Sequence, residues 1–284
     1  MNKSSRIKRV VTSHDISCMG RCSITVALPI LSSLGIETII LPTSILSTHT
    51  SGFVGFTYLD LEDETKKIIN HWKSYPRTID ALYTGFLGSV KLIEIIKEYA
   101  EQLKTTSLIV IDPAMADNGK LYPIFNQEYL DKMIELCSIA NVVVPNVTEA
   151  CLMTNTEYFG KIQTKEQIEE LLDKVLALGV DKVVLTSVAF NENEIGVAVK
   201  EKGKEPYYTM NEVVNGYFHG TGDVYSSALV GAYLNNNDLN ESSKIATEFV
   251  VEAIKETINK EDFDPKYGVN FELVINKLIK KVID

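Results

Sequence analysis

Residues Gly220-Thr221-Gly222-Asp223 stand directly before an apolar run, Val224 to Tyr233, and join two features that carry chemistry. A glycine turn that opens a helix turns unpaired backbone N–H groups toward the positive end of the helix dipole, where an anion can settle. Asp223 sets a carboxylate at that same place. A negative charge beside a phosphate suits a general base that takes the proton from a hydroxyl attacking the phosphorus. The plainer explanation is an Asp favoured in the first turn of any helix. What the rest of the chain supplies decides between them.

Asp112 and Glu149 suit a magnesium ion held largely through its waters, because magnesium keeps much of its hydration and borrows oxygens from phosphates. Their plainer roles are a turn residue before Pro113 and an acid in a first helical turn. Thr186-Ser187 either binds phosphate or ends a strand. Ser47, His49 and Thr50 lie in a hydroxyl-rich loop, Thr43 to Gly52, able to grip a small polar ligand, although His14 and His49 also fit as loop structure. Cys18 and Cys22 are four apart with no second ligand pair, which points to free thiols rather than zinc.

The elements that must position these residues follow an alternating pattern. Apolar strands are expected at Ile7 to Ser13, Ile36 to Leu41, Ile79 to Thr84, Leu108 to Ile111, Val142 to Val144 and Val183 to Leu185. Between them the spacing predicts helices over Cys22–Leu34, closed by Gly35 and bent at Pro29, then Leu61–Tyr75, Ser89–Lys104 and Gln127–Ser138. A short helix opens at Pro145-Asn146, and a capping box, Thr164 to Gln167, starts another that runs to Leu178. Ile195–Val199 and Tyr207–Val214 read as antiparallel edge strands, and helices close the chain over Ser242–Thr257 and Phe271–Ile283. Strand, crossover helix and strand in repetition predict a mostly parallel, doubly wound sheet covered on both faces, a three-layer α/β/α sandwich. In such sheets the ligand lies beyond the carboxyl ends of the strands, where the polar residues named above are expected to gather.

A chain of 284 residues with 45% hydrophobic content can bury a full core, and no repeat or linker divides it, so one domain over 1–284 is expected. The net charge of −10 argues against a nucleic-acid partner. No apolar run is long enough for a membrane span, no signal peptide follows the basic N-terminus, and four scattered cysteines fit a reducing cytoplasm.

Read in order, the chain carries Ser13-His14, Ser47-x-His49-Thr50, Thr84-Gly85-Phe86-Leu87-Gly88-Ser89, Asp112-Pro113-x-Met115-x-Asp117, Pro145-Asn146-x-x-Glu149, Leu185-Thr186-Ser187 and Gly220-Thr221-Gly222-Asp223. This series, across residues 7–260, resembles the pyridoxal kinase branch of the ribokinase superfamily. The resemblance implies a ribokinase-like sandwich, commonly a homodimer. Its activity would move the γ-phosphate of ATP to the 5'-hydroxymethyl group of vitamin B6 in pyridoxal phosphate salvage. It implies Asp223 as base, Gly220, Thr221 and Gly222 as the anion hole, and Asp112 and Glu149 at the metal. Asn146, Thr186 and Ser187 would address the phosphates, and Ser13, Met19, His49, Thr50 and Phe86 the pyridine ring. ATP and Mg2+ are the implied cofactors, with K+ a candidate monovalent cation.

Departures from the family pattern bear on the substrate. The first loop, usually Ser-His-Val with Gly-x-x-Gly-Asn, is here Ser13 to Cys22, with Asp15, Arg21 and Cys22 as added chemistry. Phe86 stands where many relatives have Tyr, and Ala116 where Gly is usual. Asp15 would favour an aminomethyl group through charge. The alternatives are a hydroxymethylpyrimidine kinase, whose first loop is typically Ser-Asp-x-x-Gly-Gly-Ala-Gly, another superfamily kinase acting on a sugar or nucleoside, and a non-catalytic binder of pyridoxal phosphate.

Overall fold

The computed structural model describes residues 6–50, 52–214, 216–235 and 237–283. In chain order the elements are β1 (Arg9–Ser17), α1 (Ile24–Ser33), β2 (Glu37–Leu46), β3 (Tyr58–Asp60), α2 (Glu62–Trp72), β4 (Ala81–Thr84), α3 (Val90–Leu103) and β5 (Leu108–Ile111). There follow β6 (Ala116–Asp117), β7 (Lys120–Leu121), α4 (Gln127–Cys137), β8 (Val142–Val143), α5 (Val147–Met153), α6 (Lys165–Ala177), β9 (Lys182–Asn191), β10 (Glu194–Glu201) and β11 (Tyr207–Glu212). The chain closes with α7 (Thr221–Leu234), α8 (Leu239–Ile258) and α9 (Ile275–Val282). Two compact units emerge, one from residues 1–83 with 217–284, the other from 84–216.

In the first unit β1 runs parallel to β2, and β2 pairs antiparallel with β3. β1 carries Val10 and Val11 fully buried, and α1 presents Ile24, Val26, Ala27, Ile30 and Leu31 to the interior. Helix α7 is buried on nearly every side, which its apolar composition allows. Its Gly231 lies so close to α1's end that a Cβ there would meet Leu34 Cδ1 at 2.3 Å. In the second unit β5, β8 and β9 are parallel, while β10 is antiparallel to both β9 and β11. Ile109, Val110, Ile111, Val142, Val143, Val183, Val184 and Leu185 are all buried, the continuous apolar runs of strands covered on both faces.

Several boundaries differ from the sequence expectation. β1 does not end at Ser13; it continues through Ser17 across a bulge between His14 and Ile16, because Asp15, buried there, is held by the Ser17 and Ser23 hydroxyls. β2 likewise extends to Leu46, since β3 supplies an antiparallel partner for Ser44 to Leu46. Thr186 and Ser187 lie inside β9 rather than at its end, and Ser187 takes a φ of 62° where the register with β10 shifts. The helix expected over Phe271–Ile283 is a 3-10 turn, Phe271–Leu273, followed by α9. β3 carries only three residues, all exposed, and so leaves no alternation to read. The β6–β7 hairpin turns on Asn118-Gly119, with φ of 51° and 79°, a type I′ signature that the sequence carries openly. The Thr164–Gln167 capping box forms as expected.

Candidate active site

In the first unit the turn before α7 is built by exclusion of side chains. Gly220 caps the helix in the left-handed region at φ 72°, and a Cβ there would lie 1.9 Å from the Arg21 carbonyl oxygen. Gly222 is exposed, and among the described residues nothing stands within 4 Å of where its Cβ would be, which leaves the first turn of α7 open to an incoming group on their side. Asp223 follows in that first turn, half-buried, and its Oδ2 accepts a hydrogen bond from the Ser23 N–H at 2.9 Å. Ser23 is itself the N-cap of α1, so two helix N-termini meet at this carboxylate and both favour its negative charge. Burial first, then Asp223 and Asp15, hold the Cys22 thiol well above its usual range, which keeps it protonated. All four cysteines are free.

The first loop is braced from the C-terminal side. Arg21 Nε donates to both carboxylate oxygens of Glu272, at 2.8 and 2.9 Å, and the Arg21 N–H donates to the Tyr267 carbonyl at 3.1 Å. Gly268, at φ 80°, passes so close that a Cβ would sit 2.8 Å from Arg21 Cβ. His49 is buried; its Nε2 donates to the Lys266 carbonyl at 2.6 Å, and its ring lies 5.1 Å from that of His219 and 4.9 Å from that of Phe53. Burial, then His49, lowers the His219 pKa. Thr50 and Met19 are exposed, whereas Ser13 is fully buried with no hydrogen-bond partner for its Oγ among the described residues. His14 is equally buried and unpartnered, its ring edge-on to Tyr83 at 4.5 Å.

The second unit holds the remaining candidates. Asn146 caps α5: its Oδ1 accepts from the Glu149 N–H at 2.9 Å and its Nδ2 donates to the Ala116 carbonyl at 2.9 Å. Glu149 closes the box, with Oε2 accepting from Asn146 N–H and Oε1 from the Met115 and Ala116 N–H groups. Burial, then Asp112 nearby, raises the Glu149 pKa, while those backbone N–H groups pull it down. Asp112, half-buried, takes the Ala114 N–H on Oδ1 at 3.3 Å, and Ala114 holds a φ of 37°. Thr186 bridges to Asn146, Ser187 is exposed, and the Phe86 ring packs 5.7 Å from that of Phe125.

Among the described residues no three His, Cys, Asp or Glu side chains gather as a metal-holding group. Two neighbouring acids, one engaged by backbone on both oxygens and one half-exposed, fit a hydrated magnesium ion. Asp112 and Glu149 would hold it largely through its waters.

Of the residues singled out in the sequence, Gly220 and Asn146 stand as helix N-caps, with Asp223 and Glu149 in the first turns that follow. Sequence reasoning missed the Ser23 N–H on Asp223, the use of Asp15 inside the fold, and the Arg21–Glu272 brace. Asp15 is 3% exposed with both oxygens occupied, so it does not present its charge to a ligand's amine as expected. The signal available was the run Asp15 to Ser23, dense in polar residues directly before an apolar helix.

The mostly parallel central sheet with helices around it, taken with the likenesses that follow, marks a ribokinase-like phosphotransferase. The chain belongs to the family described as phosphomethylpyrimidine kinase, whose model matches residues 28–266. It is 28% identical to the hydroxymethylpyrimidine/phosphomethylpyrimidine kinase of Aquifex aeolicus over 75% of this chain and 77% of that one. A Bacteroides thetaiotaomicron protein, provisionally named a phosphomethylpyrimidine kinase and crystallised in a form with pyridoxal, is 35% identical, with TM-score 0.91 and 96% of each chain covered. The pyridoxal kinase of Lactobacillus plantarum is 30% identical, with TM-score 0.88, covering 97% of this chain and 98% of that one. No helix among the described residues is long and apolar enough to cross a membrane.

Proposed function

We propose that this chain is an ATP-dependent kinase that phosphorylates the 5'-hydroxymethyl group of a vitamin B6 vitamer. The observation that carries the reading is Asp223, oriented by the Ser23 N–H at the open N-terminus of α7. Phosphoryl transfer asks for positioning and charge compensation more than for covalent chemistry, so backbone N–H groups, a cation and one base suffice. Asp223 takes the hydroxyl proton as the acceptor oxygen attacks, and the N–H groups of the Gly220 to Gly222 turn receive the charge gathering on the phosphoryl oxygens. Asp112 and Glu149 would hold magnesium largely through its waters, and the ion, when bound with ATP, would supply charge compensation for the phosphates. Asn146, Thr186 and Ser187 serve the phosphates; the Asn146 side chain does so indirectly, by fixing the start of α5. Ser13, Met19, His49, Thr50 and Phe86 surround the ring, with K+ as an additional cofactor. The whole chain acts as one cytoplasmic domain in a homodimer.

The pyridoxal form of the Bacteroides relative and the Lactobacillus pyridoxal kinase support the vitamer. The family description and the Aquifex relative favour a second reading, hydroxymethylpyrimidine, which also offers a hydroxymethyl group on a flat nitrogen ring. ADP release with magnesium-ATP, measured side by side with pyridoxal, pyridoxine, pyridoxamine and hydroxymethylpyrimidine, tests the choice. Fastest turnover with a vitamer is expected; fastest with the pyrimidine moves the assignment to the second reading, and none with any acceptor leaves a binder. Asp223→Asn should keep nucleotide binding and lose about 10²–10⁴-fold in kcat.

A further inference from the structure

Ser23 is an N-cap that does not cap. Its hydroxyl makes no bond to the first turn of α1, and its backbone lies at φ 55°, ψ −128°, a conformation that residues with a Cβ avoid. Something outside the helix must hold it there. Ser23 Oγ donates to Asp15 Oδ1 at 2.5 Å, and Asp15 Oδ2 accepts from Ser17 Oγ at 2.8 Å. Ser23 is 6% exposed and Asp15 3%, so the anchor is shielded from competing water. Held this way, Ser23 aims its N–H at Asp223 Oδ2, 200 residues further along the chain.

We propose that Asp15 and Ser23 are positioning residues for the base: Asp15 locks Ser23 into its left-handed conformation, and the Ser23 N–H then fixes the orientation in which Asp223 meets the acceptor hydroxyl. The inference rests on Asp223 being that base. Both residues act through Asp223, so their loss falls on turnover rather than on binding. A bulge in β1 between His14 and Ile16 serves the same end, since it breaks the strict alternation of the strand where Asp15 meets both hydroxyls.

The test compares Ser23→Ala, Asp15→Asn, Asp223→Asn and, as a stability control, Thr257→Ala, which removes a buried hydroxyl bonded to Ala253 and Asn270 and to neither Asp15, Ser23 nor Asp223. Steady-state kinetics with magnesium-ATP and pyridoxal are read beside thermal melts. Ser23→Ala is expected to lose about 10- to 100-fold in kcat with both KM values within about twofold, the pattern of a misaimed catalytic group. Asp15→Asn, which still offers one oxygen, is expected to lose less, and it carries the test should Ser23→Ala fail to fold. Thr257→Ala should melt earlier and keep its kcat. If Ser23→Ala and Asp15→Asn turn over like the unaltered protein while Asp223→Asn is inactive, the positioning role is overturned and the kinase reading stands. Equal kcat losses in Thr257→Ala would also overturn it, and a fully active Asp223→Asn would remove the reading beneath it.

Discussion

Gly220 and Gly222 sit two residues apart and answer to different constraints. Gly220 is fixed by its left-handed backbone and by the Arg21 carbonyl; Gly222 has neither restriction. Gly220→Ala should therefore destabilise the protein by at least the roughly 1–2 kcal/mol cost of a left-handed L-residue and lower the melting temperature by several degrees. Gly222→Ala should melt like the unaltered protein and lose turnover, because its methyl group occupies the approach to the helix N-terminus. Melts and kinetics on the pair separate the fold's glycine from the ligand's. At this scale Asp223 was legible in the sequence because Gly-x-Gly-Asp before an apolar run carries its own physical meaning. Ser23 was not, since a positive φ at a serine leaves no mark in composition or spacing and follows only from what Asp15 does to it. Glu149 was legible as an acid at a helix start, but its engagement by Met115 and Ala116 depends on a loop folding back over 33 and 34 positions.

The elements show the same division between local and non-local information. The capping box of α5 is short-range: Asn146→Ala should cost about 0.5–2 kcal/mol in denaturant unfolding, read as a lower midpoint with an unchanged slope. By contrast β3 owes its existence to β2 and leaves Tyr58 and Leu59 exposed at 46% and 58%, with Val54 and Phe56 also exposed in the same segment. An edge strand with apolar side chains invites pairing with another chain, so Leu59→Lys is expected to lower self-association in light scattering at high protein concentration. Strand positions were readable from buried apolar runs, and so were both ends of β5 and the end of β4 at Thr84, whereas the ends of β1, β2 and β9 were not. β1, β2 and β9 each continue past the apolar residues because a neighbouring strand or a serine hydroxyl satisfies their backbone and polar side chains.

For the molecule as a whole, the alternation of strand and crossover helix made the fold class legible, because each parallel connection needs a helix and the buried strands need apolar residues on both faces. Acid sensitivity was not legible, since it depends on burial. His14 is fully buried, and desolvation lowers its pKa from 6.5 to about 3. Its contribution is present above the unfolded value and is lost as pH falls from about 6.5 toward 3, by up to about 1.4 kcal/mol per pH unit. His14→Phe should flatten the acid side of the stability curve in denaturant melts taken from pH 7 to pH 4. A different consequence follows from the way the chain's first 83 residues and its last 68 share one compact unit. On the ribosome, residues 84–216 are a continuous stretch whose contacts can form as they emerge, but Ser23 waits for Asp223 and Arg21 waits for Glu272, separations of 200 and 251 residues. The base is therefore the last part of the machinery to be aimed, and a nascent chain released before Asp223 would hold the acids of the second unit while the Ser23 N–H still lacked the carboxylate it is built to meet.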